Sequence, residues 1–220
     1  MLTTMMEVAH DMKAPLQLIC SCAQMLEMEL GADARAAQYV HMLLDSARNL
    51  RSMVLAALDD AAGGETEQLH WETRDVVSEV RHAVHGFMPA AHGQGVDLAF
   101  SANARSFLMN TDASKLRRMA ENLIGNALKA TPAGGRIEVQ LGVRGDAVDL
   151  IVSDNGCGIS GKDLPFIMQR GFTTGGHGYG LAIVEKYVRM LSGCVYIDSK
   201  QGSGSTFTVH LPVKSEKITV

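Results

Sequence analysis

The N-terminal part of the chain carries apolar residues that recur in alternating steps of three and four positions. The first series consists of Leu2, Met5, Ala9, Met12, Leu16, Ile19, Ala23, Leu26 and Leu30. A second series with the same steps runs from Val40 to Ala61, and Gly31 and Asp33 lie between the two. This repeat is typical of helices that pack in a bundle. Residues 1–62 are therefore predicted to form an antiparallel helical hairpin.

Two helices cannot enclose a core by themselves, so the apolar seam of the hairpin needs a further partner. The simplest partner is a second copy of the hairpin, which predicts a homodimer with a four-helix bundle. The alternative is that the hairpin packs on the C-terminal domain of its own chain.

The rest of the chain mixes two periodicities. Helical patterns occur near 73–91, 112–130 and 178–192, and alternating, strand-like runs occur at 96–100, 137–143, 148–152, 195–197 and 207–211. This mixture predicts an α/β sandwich domain at 73–213 with one helical layer. The whole chain is then of the α+β class, with a linker at 63–72 and a tail at 214–220.

Composition excludes several classes of function. The formal net charge of −4 leaves no basic footprint for nucleic acid. The sequence has no run of about 18 apolar residues, so no membrane segment is expected in this chain, although a longer parent protein could be anchored. Its cysteines lack zinc-ligand spacing and are read as free thiols of a reducing cytoplasm.

His10 is the candidate nucleophile of the hairpin. In the heptad register it falls just outside the apolar seam, where the imidazole faces water. A neutral imidazole can attack an electrophile, and the adjacent Asp11 can fix its tautomer and support the charge that develops. Pro15 lies inside the helical pattern and is predicted to bend the helix beside His10.

Two glycine-rich segments are candidates for nucleotide binding. Residues 154–159 read Asp-Asn-Gly-Cys-Gly-Ile and follow a predicted strand, so that the Asp154 carboxylate could accept an amino hydrogen of adenine. Residues 175–180 precede a predicted helix, whose N-terminal amides could bind phosphate. The alternative for the second segment is a plain flexible loop. Gly156 to Lys162 imitates a P-loop, but Asp163 stands where Ser or Thr should bind Mg²⁺.

Asn122, Asn126 and Lys129 are spaced by four and three residues and should share one face of the helix near 112–130. Asn126 could bind Mg²⁺ through its amide oxygen, and Lys129 could meet phosphate. The alternative is a polar face that only contacts solvent.

These segments together resemble the dimerisation and catalytic core of sensor histidine kinases over nearly the whole chain. Residues 10–15 resemble the phosphoacceptor box and residues 122–131 the asparagine box. The two glycine boxes are matched by 154–159 and 176–181, and 202–207 resembles the last hairpin of the ATP domain.

The resemblance implies a role for each matching residue. His10 would be phosphorylated, with Asp11 as its acid–base neighbour; Asp154 would bind the adenine amino group, and Asn126 would hold Mg²⁺. The remaining implied nucleotide contacts are Asn122, Lys129, Gly156, Gly158, Ile159, Gly176, Gly178, Gly180, Leu181 and Thr206. The stretch from Phe166 to Gly175 would be the ATP lid, with Arg170 as a candidate γ-phosphate contact.

The implied reaction is autophosphorylation of His10 by ATP with Mg²⁺, followed by transfer to an aspartate of a response regulator receiver domain. Ala130 and Ala14 depart from the family pattern, at a nucleotide wall and at the position four after the histidine. One alternative is an ATPase of the gyrase, MutL and heat-shock chaperone type, but Asn122 stands where those enzymes carry their catalytic glutamate. Another is a pseudokinase or phosphotransfer scaffold.

Overall fold

A computed structural model of the chain describes residues 19, 47, 68–168 and 180–213. The chain divides into two compact units, Met1–Gln68 and Leu69–Val220. The predicted hairpin, its dimeric bundle and the tail lie outside the described residues, apart from Ile19 and Ala47, which are both helical.

Within 69–168 and 180–213, the second unit has three α-helices and seven β-strands. The helices are α1 (Val76–Gly93), α2 (Ala113–Ala130) and α3 (Gly180–Met190). The strands are β1 (Glu72–Asp75), β2 (Asp97–Ala102), β3 (Leu108–Thr111), β4 (Arg136–Val143), β5 (Ala147–Asp154), β6 (Cys194–Lys200) and β7 (Gly204–Pro212). A short 3-10 turn covers Leu164–Phe166.

The strands form two sheets. The larger sheet has the order β2-β4-β5-β7-β6, in which β2 and β4 are parallel and the other pairs antiparallel. The smaller one pairs β1 with β3 antiparallel.

One face of the larger sheet carries the core, because side chains alternate between the two faces of a strand. Buried apolar residues such as Val139, Leu150 and Val209 lie on this face and form a single core with buried residues of all three helices. The described domain therefore confirms a mixed α+β fold with helices layered on a sheet.

Aspartates begin both long helices. Asp75 caps α1 by accepting a hydrogen bond from the Val77 amide at 3.1 Å. Asp112 caps α2 by accepting bonds from the Ser114 and Lys115 amides, and its second oxygen accepts one from the His70 amide at 3.0 Å. Asp112 thus attaches the entry of the domain to the helix that carries the asparagines.

Two short strands were not expected from the sequence. β1 begins at Glu72, which is the last residue of the segment predicted as linker. β3 lacks the alternating apolar pattern from which a strand could be predicted. Among the described residues, no helix combines the length and the apolarity needed to cross a bilayer.

Candidate functional site

The asparagine face of α2 points away from the main core contacts of that helix. Asn122 and Asn126 are half-buried and Lys129 is exposed, whereas Leu116, Leu123 and their apolar neighbours are buried. The Asn122 amide nitrogen donates to the Arg118 carbonyl at 2.7 Å, one turn earlier. This bond holds the side chain along the helix.

The first residue of α3 lies against both asparagines. A β-carbon on Gly180 would be 3.1 Å from the Asn122 Oδ1 and 3.6 Å from the Asn126 Oδ1. The absence of a side chain at Gly180 therefore lets the helix N-terminus approach the amide oxygens. Free backbone N–H groups at a helix N-terminus attract anions. Leu181 follows and packs partly against the core.

Asp154 ends β5 with a half-buried carboxylate. Its Oδ1 accepts a hydrogen bond from the Gly156 amide at 2.9 Å, and the carboxylate also accepts one from the backbone of Ser205. Burial raises the pKa of Asp154 above its ordinary value, although these two hydrogen bonds act in the opposite direction. Asp154 is therefore a desolvated acceptor held in a fixed orientation.

The loop after Asp154 connects three elements of the domain. The Cys157 amide donates to the Ala130 carbonyl at the end of α2 at 3.0 Å, and the Gly202 amide donates to the Cys157 carbonyl at 2.7 Å. A β-carbon on Gly156 would clash with the Ala130 carbonyl. Gly158 has φ of +62°, and a β-carbon there would meet the Lys200 carbonyl. Both positions require glycine for these contacts.

Ile159 completes this side of the site. Its amide donates to the Ser199 Oγ at 2.8 Å, and its side chain is half-buried beside the core. The loop is thereby attached to β6 as well as to α2.

Thr206 does not join this group. It lies opposite Ser153 in the sheet, with the two hydroxyl oxygens 3.0 Å apart, on the face away from the helices. Ser205, one residue earlier, is the residue that lies opposite Asp154, and its buried hydroxyl is 3.0 Å from the Ser199 Oγ. Adjacent residues of a strand point to opposite faces, so Ser205 and not Thr206 lies on the same face as Asp154.

Several predicted site residues lie outside the described part of the chain. They are His10, Asp11, Arg170, Gly176 and Gly178. Of the predicted lid, the structure describes residues 166–168, in which Phe166 is exposed.

Two groups of residues are thus connected to α2: Gly180 lies against Asn122 and Asn126, and the loop after the desolvated Asp154 is bonded to the Ala130 carbonyl. The carboxylate can accept from an amino group, the amide oxygens suit a hard cation, and the helix N-terminus suits an anion. Within 68–168 and 180–213, no three His, Cys, Asp or Glu side chains converge as a metal site. These groups suit a nucleotide. Its accompanying cation would be bound mainly by the nucleotide phosphates, with few protein ligands.

Comparison with known proteins agrees with this geometry. Residues 111–215 match the family of histidine kinase-, DNA gyrase B- and HSP90-like ATPases. The sensor protein DivL of Caulobacter vibrioides is 32% identical over 93% of this chain, which covers 27% of that protein. The sensor histidine kinase ZraS of Escherichia coli is 30% identical over 94% of this chain, which covers 44% of that protein. The chain thus spans less than half the length of these relatives.

A solved structure resembles the chain over almost its whole length. The crystal structure of full-length ShkA in complex with AMPPNP superposes with a TM-score of 0.74 at 25% identity, covering 97% of this chain and 46% of that one. Histidine kinase ThkA in complex with response regulator TrrA has the same fold, with a TM-score of 0.66 at 19% identity over 96% of this chain.

Proposed function

We propose that this chain, whose residues 111–215 match the family of histidine kinase-, DNA gyrase B- and HSP90-like ATPases, is the catalytic core of a sensor histidine kinase. It would bind ATP, phosphorylate its own His10 and pass the phosphoryl group to an aspartate of a response regulator. The observation that supports this most is the approach of Gly180 to Asn122 and Asn126, in the same domain as the desolvated Asp154.

Asp154 would bind the adenine base of the nucleotide. While Asp154 is ionised, its carboxylate can only accept hydrogen bonds, so it can receive the adenine amino group and cannot donate to a ring carbonyl. Its fixed bonds to the amides of Gly156 and Ser205 leave little orientational freedom to lose on binding. Ile159 would supply an apolar contact for the base.

The phosphate end would lie between α2 and the start of α3. The Asn126 amide oxygen is a hard donor that fits Mg²⁺, and a single protein ligand suits this ion because it keeps waters and substrate phosphates in its shell. Mg²⁺ would neutralise charge on the phosphates. Asn122, Lys129 and the N-terminal amides of α3 would position them.

In the proposed reaction, an imidazole nitrogen of His10 attacks the γ-phosphorus of ATP. The bond from that phosphorus to the bridging oxygen breaks, and ADP leaves with the electron pair. Asp11 would stabilise the imidazolium that forms. The domain contributes positioning and charge neutralisation, which dominate catalysis of phosphoryl transfer.

A histidine kinase core would have two protein partners. A receiver domain of a response regulator would take the phosphoryl group from His10, and the structure of ThkA with TrrA is a precedent for such a pairing in that protein. A second copy of residues 1–62 would complete the bundle of a homodimer. This portion of the protein would lie in the cytoplasm, where ATP is supplied.

Hydrolysis of ATP by the gyrase or MutL route is disfavoured by Asn122. An amide cannot act as the general base that a glutamate provides. The Asn122 side chain also donates to the Arg118 carbonyl, which holds it along the helix and suits the proposed positioning role.

The proposal is tested by incubating the chain with γ-labelled ATP and Mg²⁺. A histidine kinase places label on the protein that is lost in acid and kept in alkali. Release of labelled phosphate without labelled protein would indicate the ATPase instead, and neither product would indicate the scaffold.

A further inference from the structure

The described part of the chain contains a cavity whose lining is distinct from the candidate nucleotide site. It has a volume of about 500 Å³ and opens between α1, the edge strand β2 and the loop that follows β2. Cavities of roughly 300–1,000 Å³ are of the size that holds small ligands. Among the described residues, none of those assigned above to the nucleotide lines it.

The cavity wall concentrates groups that bind anions. Arg81 and His85 lie one turn apart on α1, and Arg105 faces the cavity from the loop after β2. In the part of the chain that the structure describes, none of these three side chains pairs with a carboxylate. Unpaired guanidinium groups that share a cavity favour a phosphate or carboxylate, which they can bind in a bidentate manner.

The remaining wall is apolar. Met88 is 37% exposed, on the same face of α1 as Arg81 and His85. Phe100 of β2 lies under Arg81, whose guanidinium carbon is 5.8 Å from the ring centroid. This contact holds the guanidinium beside an aromatic surface, so a ligand that reaches Arg81 also meets the ring.

Asn103, an exposed residue of the cavity lining, is held in place by hydrogen bonds to β4. Its side chain donates to the Val143 carbonyl at 3.0 Å and accepts from the Val143 amide at 2.7 Å. Both polar ends of the amide are engaged, so specificity for a ligand would come from the arginines and His85. The start of the loop after β2 is therefore fixed to β4.

We propose that this cavity is a binding site for a small organic anion with an aromatic ring. The phosphate or carboxylate would lie between Arg81 and Arg105, and the ring would pack on Met88 and Phe100. Such a site is separate from nucleotide binding and would allow a metabolite to act on the ATP domain.

The test uses phenyl phosphate as the probe and the full chain saturated with AMPPNP and Mg²⁺, so that the nucleotide site is occupied. Arginine side-chain resonances are followed by NMR during the titration. We expect saturable binding with a Kd on the order of 1 mM, which is reasonable for so small a ligand. In the wild-type chain, the largest shifts should belong to Arg81 and Arg105.

The variant Arg81→Gln/Arg105→Gln should bind the probe at least tenfold more weakly. Its matched control is Arg74→Gln/Arg189→Gln, which removes the same charge from two exposed arginines paired with Glu72 and Glu185. Equal AMPPNP affinity in both variants shows that each ATP domain is folded. If the first variant does not fold, the location of the shifts in the wild-type chain decides the question.

Three results would overturn the proposal. The first is that binding does not saturate up to about 20 mM probe, a concentration well above the expected Kd. The second is that both double variants bind the probe equally weakly. The third is that the largest shifts in the wild-type chain belong to other arginines. Two further probes test the two parts of the ligand separately: inorganic phosphate has only the anion, and benzyl alcohol has only the aromatic ring. If inorganic phosphate binds as tightly as phenyl phosphate, the aromatic part of the proposal is wrong.

Discussion

Gly204, at the start of β7, packs directly against the backbone of Asp154 at the end of β5. A β-carbon on Gly204 would meet the Asp154 carbonyl oxygen and lie 2.8 Å from the Asn155 Cα. The backbone of Gly204 also has φ of +99°, which side chains disfavour. The position of the proposed adenine acceptor therefore depends on the absence of a side chain fifty residues later in the chain.

Replacement of Gly204 by alanine should lower the free energy of unfolding by about 2–5 kcal/mol, the sum of a strained φ and a backbone clash. Gly202 is the matched control, because its φ is +79° but nothing lies within 4 Å of an added β-carbon. Gly202→Ala should cost only about 1–2 kcal/mol. Chemical denaturation measures both, and equal losses would contradict the contact described for Gly204.

Asp154→Asn should weaken ATP binding by about 1.5–3 kcal/mol, or about 10- to 150-fold, because it removes a hydrogen bond to a charged group. Calorimetric titration measures this. Asp146→Asn, at an exposed turn, is the control and should keep wild-type affinity. Unchanged affinity in Asp154→Asn would rule out the adenine role.

The same substitution should not destabilise the nucleotide-free domain at pH 7. Burial raises the pKa of Asp154 in the folded state, so the ionised carboxylate costs folding free energy at pH values above both its unfolded and folded pKa values. This cost disappears as the pH falls below both. The Tm of Asp154→Asn should equal or exceed that of the wild type at pH 7, and the difference should shrink on acidification towards pH 4 or so. A Tm of Asp154→Asn below that of the wild type at pH 7 would contradict burial as the cause of the raised Asp154 pKa.

Ala14 leads to a prediction about dephosphorylation of the regulator. Residues four apart share a helix face, so on the predicted helix a side chain at 14 would lie beside His10. In the family that the chain resembles, Thr or Asn at this position is thought to hold the attacking water, and alanine cannot. Loss of one positioning contact can cost on the order of 100-fold in rate, so wild type should be a poor phosphatase.

Ala14→Thr should gain phosphatase activity towards a phosphorylated regulator in the presence of ADP, and Ala14→Val, which has the shape of threonine without its hydroxyl, should not. A fast wild-type reaction to which threonine adds nothing would refute this account of Ala14.

The homodimer is tested by sedimentation. The chain has a mass of 23.6 kDa, and the apolar seam of residues 1–62 predicts a species of twice that mass whose population rises with concentration. A chain that stays monomeric at high concentration would favour packing of the hairpin on its own ATP domain.

The sequence predicts the long elements well and the short ones poorly. The helical pattern at 112–130 corresponds to α2 at Ala113–Ala130, because buried and polar residues separate cleanly on that helix. The strands β1 and β3 carry only four residues each, and β1 reads Glu-Thr-Arg-Asp, so neither shows an apolar alternation. They exist because they pair with each other, which is a non-local effect.

The candidate site also combines residues that a local sequence pattern predicts with residues that only strand pairing places. The sequence predicts Asp154 as a site residue because an acid and glycines follow a clear strand, and the structure places it at the end of that strand. The roles of Ser205 and Gly204 depend on the register between β5 and β7, which no local pattern reveals. A shift of one residue along a strand reverses the face, so the sequence alone does not distinguish Thr206 from Ser205 as the neighbour of Asp154.

The central claim is tested most directly by His10→Gln in the γ-labelled ATP assay, with His82→Gln on the exposed surface of α1 as the matched control. Acid-labile label should disappear in His10→Gln and remain in His82→Gln, while the ATP affinity of both variants stays at the wild-type value. Label that persists at the wild-type level in His10→Gln would contradict the assignment of His10 as the phosphorylated residue.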